Sequence, residues 1–443
     1  MPTYQTPGVY LEEVALGPKP IEAVGTSTFG VVGRAPDPEA RVNRATAVTN
    51  WPQFRSLFCP PGSRSTPLTQ AVFGFFANGG QLCHVVNTGE GDRLTSGAER
   101  VGLDVLRTLD DVAIVAAPGH TGADAYDALR EHCESMGDRV AILDPPYEVP
   151  DLAALTRAAT SGRPDAGGAG SAGGSGSGAG GDAGGEGSAG PGAAGESGGA
   201  RGSGAPGRAR GTVDEEPLAL GPMDSAKGHT AFYFPWIVVR DPLSGDLVEV
   251  APSGHIAGLW ARSDATRGVY KAPANEALRG ALDLRYRVTS AEQANLNANG
   301  VNCIRYFSSE GIKVWGARTT ASDPEWRYLN VRRLVIMIEQ SIIRSTRWIV
   351  FEPNASPLWR LITADITAFL MRMWRAGALR GATPAQAFFV QCDETTNPAE
   401  SVDAGEVTTM IGLAPVKPAE FVIFRISQFA EGSSTSEGSG TDV

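Results

Sequence analysis

The chain has 443 residues, 42% of them hydrophobic, and a formal net charge of -11. That length predicts two or three domains with a sizeable core. The acidic balance argues against nucleic acid, whose phosphates need clustered Lys and Arg, and against anionic membrane surfaces.

No apolar run reaches the roughly 18–20 residues of a membrane span, so no direct membrane insertion is expected. The opening Met1-Pro2-Thr3-Tyr4-Gln5 has neither the basic nor the apolar region of a secretory signal. Cys59, Cys83, Cys133, Cys303 and Cys392 are odd in number and scattered, which fits a reducing cytoplasm better than a disulfide framework.

In chain order, Val9, Leu11 and Glu12-Glu13 lie in an extended arm, because Pro7-Gly8 before and Gly17-Pro18 after them discourage a helix. Strand and helix patterns then alternate. Strands are expected at Phe29–Gly33, Leu82–Val86, Val112–Ala116 and Val140–Leu143, and one long strand at Ala231–Val239. Helices are expected at Pro67–Asn78, with Leu68, Ala71, Val72 and Phe75 on one face, and at Ala98–Leu109, Ala123–Met136 and Asp151–Ala159. Such alternation predicts parallel strands with helical crossovers, an open α/β sheet. Residues 161–211 are almost entirely Gly, Ala and Ser, and read as a flexible insertion in a surface loop; 431–443 reads as a tail of the same type.

The C-terminal part reads as α+β. Val301–Phe307 and Ile312–Gly316 form a strand pair. Asp323-Pro324-Glu325 opens a helix to about Arg344 that buries Val331, Val335, Ile338 and Ile342. Trp348–Phe351 is a strand. Ser356-Pro357 opens a second helix, with Trp359, Ile362, Ile366, Phe369 and Met373 on its apolar side, ending near Gly377. Phe388–Gln391, Val407–Leu413 and Glu420–Ser427 are further strands. In the last of these, Phe421, Ile423 and Arg425 alternate with Val422, Phe424 and Ile426, so both faces are largely apolar.

Chemistry is sparse. Gly176, Gly178 and Gly181 match G-x-G-x-x-G, and Gly195-Glu196-Ser197-Gly198-Gly199 matches the hydrolase elbow. Both lie in the low-complexity tract, without the strand and helix those motifs need. His84, His120, His132, His229 and His255 show no metal-ligand spacing with another His or Cys. Asp110-Asp111 and Glu12-Glu13 read as solvated charge. No catalytic, cofactor or metal residue is assigned, and no cofactor is expected.

Two stretches carry a resemblance. Tyr4-Gln5-Thr6-Pro7-Gly8-Val9-Tyr10-Leu11-Glu12-Glu13-Val14 followed by Ile21-Glu22-Ala23-Val24-Gly25-Thr26-Ser27 resembles the opening of phage tail sheath proteins. Leu296-Asn297, Gly300-Val301-Asn302 and Gly311-Ile312-Lys313-Val314-Trp315-Gly316-Ala317-Arg318-Thr319 resemble the signature of the sheath C-terminal domain, continued by Arg332-Arg333 and Phe351-Glu352-Pro353-Asn354. The resemblance covers roughly residues 1–30 and 265–430.

It implies a structural subunit that polymerises as stacked hexameric rings, a helical homo-oligomer, around an inner tube. Contraction would drive the tube through a target envelope. Baseplate and terminal cap proteins would be further partners. It also implies assembly in the cytoplasm within a phage-tail-like particle, and leaves open whether that particle stays there, becomes membrane-bound or is released by lysis. Expected divisions are an N-terminal linking arm 1–25, an outer α/β domain 26–264, an inner sheath core 265–415, a C-terminal linking strand 416–430 and the tail 431–443. Val9, Tyr10, Leu11, Phe421, Ile423 and Arg425 are the expected inter-subunit arm residues, joining neighbours by strand addition. Arg360, Arg372 and Arg375 on the Ser356 helix, with Arg380 just beyond, are the expected contacts to an acidic inner tube. The competing readings are an α/β nucleotide-binding enzyme, which no phosphate loop supports, and a secreted adhesin or surface-layer protein.

Overall fold

The structure, a computed structural model, describes residues 20–97, 99–160 and 218–421. The expected arm residues Val9, Tyr10, Leu11, Ile423 and Arg425 lie outside them, as do the insertion 161–211, both glycine patterns within it and the tail 431–443.

The strands are β1 (Phe29–Gly33), β2 (Thr46–Val48), β3 (Cys83–Asn87), β4 (Ile114–Ala116), β5 (Val140–Leu143), β6 (Thr230–Phe234), β7 (Ile237–Arg240), β8 (Leu247–Val250), β9 (Glu276–Ala277), β10 (Ala281–Leu284), β11 (Val301–Phe307), β12 (Gly311–Val314), β13 (Phe388–Gln391) and β14 (Met410–Leu413). The helices are α1 (Trp51–Phe58), α2 (Pro67–Ala77), α3 (Leu103–Leu106), α4 (Ala123–Met136), α5 (Ser253–Arg267), α6 (Ser290–Ala298), α7 (Leu329–Ser345), α8 (Ser356–Arg375), α9 (Pro384–Ala387) and α10 (Ala399–Asp403).

Nine strands form one sheet in the order β2-β3-β1-β4-β5-β6-β11-β12-β9. Its centre, β3 to β11, is parallel, and β2, β12 and β9 flank it antiparallel. The fold is therefore mixed α+β, with the expected open parallel sheet at its middle. That sheet takes strands from both sides of residue 265.

Strands covered on both faces should be apolar throughout, and β1, β5 and β6 are buried along their whole length. One face is covered by α1, α2 and α5 and the other by α3, α4 and α6. Small residues let α5 press onto α2: a Cβ on Gly254 would stand 2.3 Å from Ala71 Cα, and one on Gly258 2.3 Å from the Phe75 carbonyl oxygen. A third apolar cluster joins α7, α8, Phe388 of β13 and Ile21.

Four expected elements differ. The Ala98–Leu109 helix shrinks to α3, because Gly102 holds φ 51 and its N–H donates to Asn43 Oδ1, 3.1 Å, so the chain turns helical only at Leu103. Asp151–Ala159 contains only a 3-10 turn, Leu152–Thr156. The long strand Ala231–Val239 is cut at Pro235, which has no N–H to give a ladder; β6 stays in the large sheet, while β7 pairs with β8 and β10 in a second one. Trp348–Phe351 is not a strand: Arg347–Ile349 is a 3-10 turn and Phe351 is exposed with φ 74.

The start of α7 also moves. Asp323 does cap, but it caps a turn, accepting from the Glu325 N–H at 2.8 Å. Arg327 to Leu329 are drawn instead against residues 317–319: Thr319 N–H donates to the Arg327 carbonyl and Leu329 N–H to that of Ala317. That pairing delays the helix to Leu329. Of the expected buried face, Val331 and Ile338 are buried, together with Leu334, Met337 and Ser341, while Val335 and Ile342 are only half-buried.

Candidate assembly surfaces

Both described chain ends are fastened to the α7–α8 region. At the N-terminal end, Ile21 is buried in the third cluster and its carbonyl accepts from Arg372. Val24 N–H donates to Ser341 Oγ, 3.0 Å. Thr26 Oγ1 donates to Asp264 Oδ2 at 2.6 Å, and Arg333 Nη2 donates to the Thr26 carbonyl at 2.9 Å. Arg333 also grips Asp264 with both prongs, 3.0 and 2.6 Å, and lies over the Trp260 ring at 4.7 Å. This pair retains only 3% and 6% side-chain exposure. Buried charge is tolerated only when paired and hydrogen-bonded in this way.

The C-terminal end has its own fastening. Asn330 Nδ2 donates to the carbonyls of Tyr270, 2.8 Å, and Val416, 3.1 Å. Arg318, 8% exposed, pairs bidentately with Glu420 and also donates to the Asn297 carbonyl, 2.9 Å. Phe421, the one expected arm residue among those described, is 75% exposed.

β13 and β14 stand apart as a two-stranded antiparallel sheet, with Phe389 and Met410 each 52% exposed. Beside β14 a groove of about 610 Å³ is walled by Val335, Ile342 and Ile343 of α7 and by Ile411 and Leu413. A second groove, about 890 Å³, runs between α6, Tyr270, Trp315 and the segment from Val416 to Phe421. Two strands alone are marginal in water, and this pair is supported from one side by α8.

On α8, Pro in the first turn and Gly377 at φ 82 bound the helix as expected. Trp359, Ile362, Ile366 and Phe369 are buried, and Met373 is half-buried. Arg360, Arg372 and Arg375 are exposed, and 3.6 residues per turn puts them within about 120° of the helix circumference. They do not form one cluster. Arg360 stands about 22 Å of helix rise from Arg375 and borders a groove with Thr363, Ala364 and Thr367. Arg372 is spent internally, on the Ile21 carbonyl and over the Phe369 ring at 5.7 Å.

The ends of the parallel strands show what occupies the positions where an α/β enzyme binds anions. The N-terminus of α5 is met by the chain's own Asp144, whose carboxylate accepts from Ser253 N–H at 2.8 Å and Ser253 Oγ at 2.7 Å. Burial raises the Asp144 pKa to about 6 against those hydrogen bonds. At the end of β3, Asn87 holds the 35–40 loop, accepting from Ala35 N–H and donating to the carbonyls of Asp37 and Ala40. His84 and His120 pair with Asp111 and Asp92 at 3.0 and 3.4 Å. Among the described residues no group of three His, Cys, Asp or Glu is arranged to hold a metal ion, and all five cysteines are unpaired.

Sequence reasoning missed Asp264, Arg318, Asn330, Arg333 and Glu420 as fastenings. The Arg332-Arg333 doublet and the Gly316-Ala317-Arg318-Thr319 run were visible, but their carboxylate partners lie 69 and 102 positions away.

These features describe a mixed α+β protein whose exposed chemistry is strand edges, grooves and fastened chain ends. The family model described as "Phage tail sheath protein central domain" matches residues 223–320, and "Phage tail sheath C-terminal domain" matches 321–429. Over residues 223–429 the chain is thus similar to phage tail sheath proteins. It is 30% identical over 185 residues to the tail sheath protein of Salmonella phage ViI, covering 41% of this chain and 28% of that one. It is 26% identical over 197 residues to a prophage major tail sheath protein of Pseudomonas aeruginosa, covering 43% and 49%. The match thus spans half or less of these relatives' lengths. Solved structures match throughout: the contracted sheath complex of the extracellular contractile injection system PVC has TM-score 0.71 and 27% identity, covering 97% of this chain and 99% of that one. The contracted helical sheath of the anti-feeding prophage has TM-score 0.68 and 26% identity, covering 96% and 100%.

Proposed function

We propose that this chain is the structural subunit of a contractile sheath, stacked as hexameric rings around an inner tube, and that contraction drives the tube through a target envelope. The observation that carries this reading is the agreement with the contracted PVC sheath over 97% of the chain. Baseplate and terminal cap proteins complete the particle, which assembles in the cytoplasm and is released by lysis. Among the described residues no helix is long and apolar enough to cross a membrane. A structural role is the reading kept for the chain, and at α5 the usual anion position belongs to Asp144.

A lattice that changes shape without parting needs rigid bodies joined by extended links. In this reading residues 1–25 and 416–430 are the links, and the expected outer part 26–264 and inner part 265–415 move as one body, because the nine-stranded sheet joins them. Residues Val9, Tyr10 and Leu11 of one copy and Phe421, Ile423 and Arg425 of another add as strands to β13 and β14 of a third. Main-chain hydrogen bonds hold while the bodies rotate, and apolar side chains enter the groove beside β14.

Deleting residues 1–20 should leave a folded subunit that builds no cylinders in negative-stain micrographs; normal cylinders would refute the linking arms. Arg360 and Arg375 meet acidic tube residues through weak, screened contacts. Reversing both to Glu should abolish sheath–tube co-assembly while cylinders of sheath alone persist. Arg372 is the poorer probe, because its reversal also strips the Ile21 carbonyl of a donor.

A further inference from the structure

One turn of α7 touches both chain ends. Asn330 and Arg333, three residues apart, share a helix face. Asn330 donates to the Val416 carbonyl and Arg333 to that of Thr26. Between them these two side chains hold the segments that lead to residues 1–19 and 422–443. Each is 3% exposed or less.

Both side chains are costly where they stand. Asn330 is 1% exposed and its Oδ1 has no hydrogen-bond partner, an orphaned acceptor that an apolar residue would avoid. The Arg333–Asp264 pair is buried, where charge is a poor source of stability. What each side chain gains is a bond to backbone outside its own element. Neighbouring Arg332 is the contrast: it is also buried, but among the described residues it reaches the Glu339 side chain, at 3.2 Å, and the Trp326 ring, and no backbone carbonyl.

We propose that the Asn330–Arg333 turn is the junction that joins the N-terminal link of each subunit to its C-terminal link, carrying load from one neighbour to the other when the lattice contracts. This rests on the reading of the chain ends as inter-subunit links. The two bonds converge on one rigid helical turn, so tension entering at Thr26 reaches Val416 without crossing the large sheet. Asp264 holds the Arg333 fork in place, and Arg318–Glu420 fixes the C-terminal segment four residues further on.

The test uses the full chain as wild type, Asn330→Leu, Arg333→Lys and the control Arg332→Lys. Cylinders are formed, contracted with denaturant and measured in micrographs. Asn330→Leu and Arg333→Lys cylinders should fragment to lengths about threefold shorter than wild type, since a chain of links parts at its weakest. Arg332→Lys cylinders should keep wild-type length. Equal lengths in all four overturn the junction and leave the linking arms intact. Amide exchange on free Arg333→Lys subunits decides the matter for a variant that does not assemble. The Val24 and Val416 amides, which donate to Ser341 Oγ and the Ala378 carbonyl, should both exchange about tenfold faster than wild type, as expected for a weakened local unit. Acceleration at Val24 alone overturns the junction. A wild-type chain that builds no cylinders overturns the linking arms, and the exchange result still decides whether the turn couples the two ends.

Discussion

His255 sits between α5 and α2, fully buried, with no partner for its Nδ1. Burial pushes its pKa down to about 4, and that of His132, beside Arg139, down to about 3. The unfolded chain protonates near pH 6.5, so these folded-state values lie below the unfolded one. The stability they give is complete above pH 6.5 and drains away as pH falls through the folded values. Asp144 works in the opposite sense. Its pKa, about 6, is raised above the ordinary carboxylate value, so its contribution is complete at low pH and is lost as pH rises through 6. The difference between wild type and His255→Asn isolates the histidine. Between pH 7 and pH 4 the variant should lose about 3 kcal/mol less than wild type in urea unfolding, most of the worth of that shift. Parallel pH profiles would show that His255 titrates alike in the folded and unfolded chains.

At the scale of elements, helices with sharp ends were legible. Ala123–Met136 closes on Gly137, and Ser356–Arg375 starts at Pro357 and stops before Gly377. Strand cores such as Val140–Leu143 were legible because every residue is apolar. Elements decided by distant partners were not. Residues 327–329 join a bridge to 317–319, and Trp348–Phe351 has the residues of a strand but a turn's geometry. The same limit hid the fastenings, since the Arg333 doublet says nothing of Asp264, which a different helix supplies. Gly254 and Gly258 were unremarkable in the sequence, yet they set the α2–α5 separation. Gly254→Ala should cost about 2–3 kcal/mol, the usual penalty of overpacking, because the new methyl meets Ala71 backbone and not a side chain able to swing away. Thermal unfolding measures this; an unchanged melting temperature would mean the helices can separate freely.

At the scale of the molecule, the long glycine-rich stretch interrupts the chain without interrupting the body. Leu220 N–H donates to the Ala154 carbonyl, Ala159 N–H to that of Gly221, and Gly221 N–H back to that of Arg157, all at 2.8 Å. Arg157 Nη1 reaches the Leu218 carbonyl at 2.9 Å. The chain therefore leaves and re-enters the body at one point, and the join is held by bonds on either side of the stretch. Loop-closure entropy grows only with the logarithm of length. Replacing residues 162–216 with a six-residue Gly/Ser linker should thus stabilise the subunit by about 2 kcal/mol or less. If the stretch only decorates the outer part, the shortened chain should also build cylinders of wild-type width and contract to the same extent. Loss of cylinders with melting temperature intact would give the stretch a contact in the lattice. Loss of the fold would mean that the bonds around Ala154 to Gly221 do not suffice to close the loop.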